Sequence, residues 1–247
     1  MRLAPLALVA LLGCTAGAAP HPLETIERTV GDGDGPIVIL LHGFGSVPET
    51  FLGLAARTDL PLGTRLVFPR GPDPVTVAPR AGALPPTGAP QGWMWWPLPR
   101  DLGRISRERL PGQDDARARV RALVDRLAQE MPGRPIVLGG FSQGAMVSLD
   151  VALHDPIPLA GLVLMSGTMI DEDDTLAHLD AHRGLRVYMS HGTHDPVLRY
   201  DEDVRLRDAM QAHGLDVSFT SFEGVHQVTE HVSMEVAAFI RRCAGSR

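Results

Sequence analysis

The chain has 247 residues, 44% of them hydrophobic and 21% charged, which is an ordinary globular composition and enough for one sizeable core. Its formal net charge of -6 argues against a nucleic-acid partner, because such a partner usually requires a basic face. The two cysteines, Cys14 and Cys243, are too few for a disulfide framework. These features favour a single domain stabilised by its core.

The first twenty residues differ in composition from the rest of the chain. One arginine precedes an apolar run from Leu3 to Leu12, and small residues follow. This pattern is typical of a secretory signal and is too short to span a bilayer as a helix. Two outcomes stay open: lipidation of Cys14, which would attach the protein to a membrane, or cleavage near Ala18. We therefore expect residues 1–19 to be a signal peptide and the mature protein to be a periplasmic or outer-membrane lipoprotein or a secreted protein.

Apolar runs and amphipathic segments alternate along residues 20–247. Continuous apolar runs predict strands buried on both faces, and one alternating run predicts an edge strand. The predicted strands are Ile37–Leu41, Leu66–Phe68, Pro135–Leu138, Leu159–Met165, Val187–Met189 and, at the edge, Val217–Phe222. The predicted helices are 114–130, Gln143–His154, Val204–His213 and His231–Arg242. The alternation predicts an α/β fold in one domain, with a mostly parallel sheet and helices on both faces.

Residues 71–99 interrupt this alternation, because proline and glycine are concentrated there. We interpret the stretch as a long irregular loop. All three tryptophans of the chain, Trp93, Trp95 and Trp96, lie near its end. Two hypotheses stay open: the rings pack the loop onto the body of the protein, or they form an aromatic wall or lid of a substrate pocket.

The segment VLGGFSQGAM contains the pentapeptide Gly140-Phe141-Ser142-Gln143-Gly144, placed between a predicted strand and a predicted helix. A nucleophile elbow needs this order, because a sharp turn at the strand end presents the serine hydroxyl. Small flanking residues let the strand and the helix approach closely. The helix N-terminus also favours negative charge beside the serine. We therefore expect Ser142 to be a catalytic nucleophile.

A serine nucleophile needs a base and an acid. Where the serine lies on a strand-to-helix elbow, both follow it along the chain, the acid before the histidine. Asp195 lies just after a predicted strand and is the expected acid, although Asp before Pro also caps helices. A metal site of Asp195 with His191 and His194 is disfavoured because no further ligand is evident, and His191 is expected to be structural. His226 follows the last predicted strand and is the expected base. The expected triad is Ser142, Asp195 and His226, with no metal and no cofactor.

Acyl transfer also needs two N–H donors for the developing oxyanion. One normally belongs to the residue after the nucleophile, here Gln143, and the other to the loop after an early strand. The sequence Leu41-His42-Gly43-Phe44-Gly45 follows such a strand. The N–H of Phe44 is therefore the expected second donor.

Together these motifs resemble the phospholipase/carboxylesterase group of α/β-hydrolases, which includes the acyl-protein thioesterases. The motifs that carry the resemblance are Leu41–Gly45, Gly140–Gly144, Ser190-His191-Gly192 with Asp195, and Gly224-Val225-His226. The resemblance extends from about Pro36 to Ile240 and implies the same triad and the same oxyanion donors. The sequence after Trp93 and the enlarged segment before it depart from the family pattern, so the family's substrate preference carries over poorly.

The resulting hypothesis is a serine carboxylesterase that cleaves a small-molecule ester through an acyl-serine intermediate. A thioesterase or a lysophospholipase on the same triad is the alternative, because the elbow does not distinguish these substrates. A non-catalytic binding protein with a hydrolase fold is the alternative of another class. Acyl chain length and oligomeric state stay open at this point.

Overall fold

The computed structural model describes residues 21–56, 59–75 and 92–245. The predicted signal peptide, with Cys14, lies outside the described residues, and so does the greater part of the predicted loop at 71–99. Within the described ranges, no helix is both long and apolar enough to cross a membrane.

Seven strands form the central sheet, and a separate pair forms a small hairpin. The strands are β1 (Thr25–Val30), β2 (Ile37–Leu41), β3 (Thr64–Pro69), β4 (Asp73–Val75), β5 (Gly92–Met94), β6 (Ile136–Phe141), β7 (Leu159–Met165), β8 (Arg186–Gly192) and β9 (Asp216–Phe222). The order in the main sheet is β1-β3-β2-β6-β7-β8-β9, and only β1 runs antiparallel to its neighbour. The inner strands are apolar because both of their faces are covered.

Helices cover both faces of this sheet. They are α1 (Leu52–Ala55), α2 (Arg104–Arg107), α3 (Gln113–Glu130), α4 (Gln143–His154), α5 (Glu172–His178), α6 (Tyr200–Ala212) and α7 (Glu230–Ala244), with 3-10 turns at Pro48–Phe51 and Leu179–His182. The helices α3, α4 and α6 bury their apolar faces in one core, against residues such as Leu138. The helices α1 and α7 pack in the second core, around Val38 and Phe68. The predicted α/β architecture is confirmed.

The bounds of some elements differ from the prediction for identifiable reasons. Helix α6 begins at Tyr200 rather than at Val204, because its first turn is acidic and carries no apolar period. Strand β1 was not predicted, since TIERTV has neither a continuous apolar run nor a clear alternation. It pairs with β3 at the edge of the sheet, where half-exposed polar residues are tolerated.

The stretch that was predicted to be an irregular loop is partly ordered by strand pairing. Strands β4 and β5 pair antiparallel, with Pro74 opposite Trp93. The backbone of Trp93 also exchanges hydrogen bonds with the loop after β2, through Gly45 and Ser46, at 2.9 Å each. Strands of three residues are too short to show a period, so composition alone concealed this hairpin. The pairing brings the tryptophan segment to the carboxyl end of β2.

The turn between β6 and α4 lies unusually close to β2. A Cβ added at Gly140 would lie 2.5 Å from the carbonyl oxygen of Leu41, and one added at Gly144 would overlap the same oxygen. Because that oxygen belongs to the backbone of a central strand, no side-chain rotation could relieve the overlap. Glycine is therefore required at both positions.

We expect Gly144→Ala to lower the free energy of unfolding by about 1–3 kcal/mol, because the added methyl group overpacks the contact with β2. Urea unfolding followed by circular dichroism measures the change. Gly53→Ala is the matched control, because a Cβ there meets nothing within 4 Å and alanine favours helix over glycine. Equal unfolding free energies for the two variants would contradict the proposed steric requirement.

Candidate active site

Ser142 lies on the sharp turn between β6 and α4. Its φ of 55° and ψ of -120° form a backbone conformation that residues other than glycine rarely adopt. Its N–H donates to the carbonyl of Met165 at 2.8 Å, and its carbonyl accepts from Ala145 at 3.0 Å. These bonds to β7 and to α4 maintain the strained turn. The side chain does not cap the helix, so its hydroxyl is available to another partner.

His226 connects Ser142 to Asp195. Its Nε2 lies 2.9 Å from Ser142 Oγ, and its Nδ1 lies 2.6 Å from Asp195 Oδ2. Because a carboxylate oxygen accepts, Nδ1 carries the hydrogen and Nε2 is free to accept the hydroxyl proton. The three residues follow strands β6, β8 and β9, so they lie at the carboxyl ends of the parallel strands. The structure thus brings together the three residues that were selected from the sequence as a triad.

The carboxylate of Asp195 is buried and held on both oxygens. Its Oδ1 accepts the N–H groups of Val197 at 2.8 Å and Leu198 at 3.0 Å. Its Oδ2 accepts from His226, and Nε2 of His191 lies 3.2 Å from the same oxygen. A carboxylate surrounded by donors keeps one orientation, and it therefore orients the imidazole of His226.

His191 is buried behind Asp195. Its two ring nitrogens lie 2.9 Å from Asp203 Oδ2 and 3.1 Å from the carbonyl of Leu198. Burial disfavours the charged imidazolium, but the hydrogen bond with Asp203 and the charge of that carboxylate outweigh burial and raise the pKa of His191. His191 therefore links α6 to the turn that follows Asp195, which agrees with the structural role expected for it. No sequence motif pointed to its partner Asp203.

The loop after β2 contacts the nucleophile directly. A Cβ added at Gly43 would lie 3.2 Å from Ser142 Cβ. Neither the N–H of Phe44 nor that of Gln143 donates to a backbone carbonyl of the described residues. These two N–H groups, one on the residue after Ser142 and one on the loop that contacts it, are therefore available to an oxygen atom of a ligand.

The three tryptophans occupy different environments. Trp95 and Trp96 are 1% and 0% exposed, so their rings pack the segment onto the body of the protein. Trp93 is half-buried, and the guanidinium of Arg70 lies 3.9 Å from the centroid of its ring. Of the expected aromatic wall, only Trp93 keeps substantial exposed surface, and its contact with substrate stays a prediction.

One group of described residues could hold a metal ion, and it lies apart from Ser142. Ligating atoms of His154, Asp174 and His178 lie within 4.8 Å of one another. Arg109 donates to Asp174 Oδ2 at 3.2 Å and would compete with a cation for that oxygen. The group lies at the C-terminal end of α4, whereas Ser142 lies at the N-terminal end of that helix.

The parallel sheet, the strained elbow and the hydrogen-bonded Ser142, His226 and Asp195 define an α/β-hydrolase with a serine-type site. The family model described as Phospholipase/Carboxylesterase matches residues 29–244. The chain belongs to the phospholipase/carboxylesterase family, whose members are esterase- and thioesterase-type serine hydrolases.

Curated relatives of this chain are fungal acyl-protein thioesterases. Acyl-protein thioesterase 1 of Mycosarcoma maydis is 29% identical over 145 residues, or 54% of this chain and 60% of that protein. The Candida albicans enzyme of the same name is 29% identical over 117 residues, or 45% of this chain and 51% of that protein. The Yarrowia lipolytica enzyme is 29% identical over 178 residues, or 69% of this chain and 74% of that protein. This chain thus spans little more than half the length of the first two relatives.

Solved structures share the fold at lower sequence identity. The crystal structure of esterase PE8 matches with a TM-score of 0.70 at 23% identity, covering 90% of this chain and 98% of that one. Acyl-protein thioesterase 2 of Zea mays matches with a TM-score of 0.65 at 20% identity, covering 90% of this chain and 99% of that one. At these identities the likeness supports the fold alone.

The prediction of an exported, periplasmic or secreted protein is wrong. The relatives that this chain matches are acyl-protein thioesterases, which are cytosolic enzymes. The prediction depended on the composition of one short apolar run, Leu3 to Leu12, followed by small residues. Composition of this kind does not specify translocation.

His42, at the start of the loop beside Ser142, must be neutral to make its observed contacts. Its Nδ1–H donates to the carbonyl of Gly43 at 2.8 Å, and its Nε2 accepts the N–H of Gly71 at 3.0 Å. A second ring proton would face the N–H of Gly71. Burial lowers the pKa of His42 below its usual value.

We expect acidification to destabilise the fold through His42. Because its folded-state pKa lies below that of the unfolded chain, near 6.5, the unfolded state binds a proton first as pH falls. The contribution of His42 to the free energy of unfolding is full above about pH 6.5 and declines below it. Urea unfolding at several pH values, for wild type and His42→Gln, measures this. The difference between the two should narrow at low pH, and a constant difference would contradict the assignment.

Proposed function

We propose that this protein is a serine carboxylesterase in which Ser142 is the nucleophile, His226 the base and Asp195 the orienting acid. The observation that carries the proposal is the continuous hydrogen-bond chain, 2.9 Å from Ser142 Oγ to His226 and 2.6 Å from His226 to Asp195. Its placement on a strained elbow, beside two N–H groups without backbone partners, supports the same chemistry.

The reaction begins when Nε2 of His226 accepts the hydroxyl proton of Ser142 as Oγ bonds to the ester carbonyl carbon. Asp195 stabilises the imidazolium that forms. The N–H groups of Phe44 and Gln143 donate to the oxyanion of the tetrahedral intermediate. His226 then returns the proton to the leaving alcohol, and water releases the acid from the acyl-serine by the reverse sequence.

Exposed apolar side chains close to the triad residues along the chain favour a substrate with an apolar group. Phe44, Val197 and Val225 are 39%, 47% and 47% exposed, although they are large apolar residues. Phe44 lies on the loop after β2, Val197 lies two residues after Asp195, and Val225 directly precedes His226. Exposed apolar side chains around a site gain free energy when an apolar ligand covers them.

A thioesterase or a lysophospholipase is the second candidate function. The names of the fungal relatives favour the thioesterase. Ester and thioester cleavage share the acyl-serine path and differ in the leaving group. A thiolate is a weaker base than an alkoxide, so it depends less on proton donation from His226.

We expect p-nitrophenyl esters, assayed from acetate to palmitate beside matched acyl thioesters, to be hydrolysed by wild type. Ser142→Ala should lose roughly 10³-fold or more of kcat/KM, because no other group supplies the nucleophile. Ser148→Ala, on the same helix, is the control and should retain activity and labelling by a fluorophosphonate. Comparison of kcat/KM for the two series decides between ester and thioester.

Two outcomes would contradict the proposal. Labelling that persists in Ser142→Ala would show that another residue is the nucleophile. A wild-type protein that neither hydrolyses these substrates nor reacts with the fluorophosphonate would favour the non-catalytic binding protein.

A further inference from the structure

Trp95 connects the two segments that carry the proposed oxyanion donors. Its indole N–H donates to the carbonyl of His42 at 2.8 Å, and its backbone N–H donates to Oε1 of the Gln143 side chain at 2.9 Å. His42 leads directly into Gly43 and Phe44, and Gln143 is itself the other donor residue. One buried residue thus holds both sides of the proposed oxyanion hole.

The side chain of Gln143 is fully engaged in this connection. It is 1% exposed, its Oε1 accepts from Trp95, and its Nε2 donates to the carbonyl of Trp96 at 2.8 Å. Rotating the amide by 180° would oppose two donors at Trp95 and two acceptors at Trp96, so its orientation is unique. The side chain therefore anchors the tryptophan segment to the start of α4, while the backbone N–H remains available.

The tryptophan segment also packs closely against the loop after β2. The rings of His42 and Trp95 lie 5.4 Å apart between centroids. The N–H of Gly45 donates to the carbonyl of Trp93 at 2.9 Å, and a Cβ added at Gly92 would overlap the carbonyl of Gly45. The tryptophan segment thus lies directly against the loop that carries Phe44.

We propose that Trp95 is a positioning residue that sets the separation and orientation of the N–H groups of Phe44 and Gln143. This inference rests on the proposed function. Oxyanion donors stabilise the transition state only when they lie about 2.7–3.1 Å from the oxyanion, so small displacements are costly. The Trp95 bonds fix the loop after β2 relative to the start of α4, so their loss shifts the two N–H groups relative to each other. The transition state then loses more stabilisation than the bound substrate does.

Trp96 provides a matched control within the same segment. It is as deeply buried as Trp95, but its indole Nε1 has no hydrogen-bond partner among the described residues. Replacement by phenylalanine at either position removes an indole N–H and similar ring volume. At Trp95 the change removes the hydrogen bond to the carbonyl of His42. At Trp96 it removes no hydrogen bond to a described residue.

The test compares Trp95→Phe and Trp96→Phe in p-nitrophenyl butyrate hydrolysis and in inhibition by a trifluoromethyl ketone, whose serine adduct carries an oxyanion. We expect Trp95→Phe to lower kcat by about tenfold or more with little change in KM, since removal of a whole donor costs 10²–10³. The inhibition constant should rise by a similar factor. Trp96→Phe should lower kcat by less than about threefold.

Equal losses in the two variants, or a Trp95→Phe protein that is less stable but has unchanged kcat and inhibition constant, would overturn the inference. If Trp95→Phe does not fold, Gln143→Met removes the opposite link, the side-chain hydrogen bonds of Gln143 with the backbone of Trp95 and Trp96. It keeps the backbone N–H of residue 143 and should show the same kinetic pattern. The two proposals are tested separately. Wild-type activity that is lost in Ser142→Ala supports the proposed function, whatever the effect of Trp95→Phe.

Discussion

The close contact between β2 and the turn that precedes α4 is the constraint on which the site depends. The carbonyl of Leu41 occupies the space where side chains at Gly140 and Gly144 would lie. This approach aligns the start of α4 with the end of β2, so that Ser142 and the loop of Gly43 lie side by side. A wider separation would move Ser142 away from the loop of Gly43 and Phe44.

The site is divided between two kinds of support. The triad residues extend from the carboxyl ends of β6, β8 and β9, and the geometry of the parallel sheet places them. The Asp195 carboxylate adds hydrogen bonds from its own loop, and His191 closes its inner side. The loop with Phe44 lies beyond the end of β2 and is held by hydrogen bonds to Trp93 and Trp95. Strands therefore position the residues of the proposed proton transfer, whereas in our proposal side-chain hydrogen bonds position the oxyanion donors.

Elements with a strong local pattern could be predicted from the sequence. Strands β2 and β7 and the elbow before α4 are predictable because continuous apolar runs and glycine spacing reflect local requirements. The triad members could be selected because their order along the chain follows the order of the strands. The Gln143–Trp95 link, the Asp203 partner of His191 and the β4–β5 hairpin could not, because each depends on contacts between distant segments. The localisation prediction failed for a related reason, since composition does not record cellular destination.

The positive φ of Ser142 has a consequence for how the protein reaches its active form. An isolated chain gains nothing from this conformation, because the hydrogen bond to Met165 and the contact with Leu41 exist only after β6 has taken its place between β2 and β7. The elbow therefore needs the native pairing of β6 with β2 and β7 to hold it. In the proposed mechanism, reactivity of Ser142 is therefore a measure of completed folding, and a compact intermediate without the elbow would carry an ordinary serine.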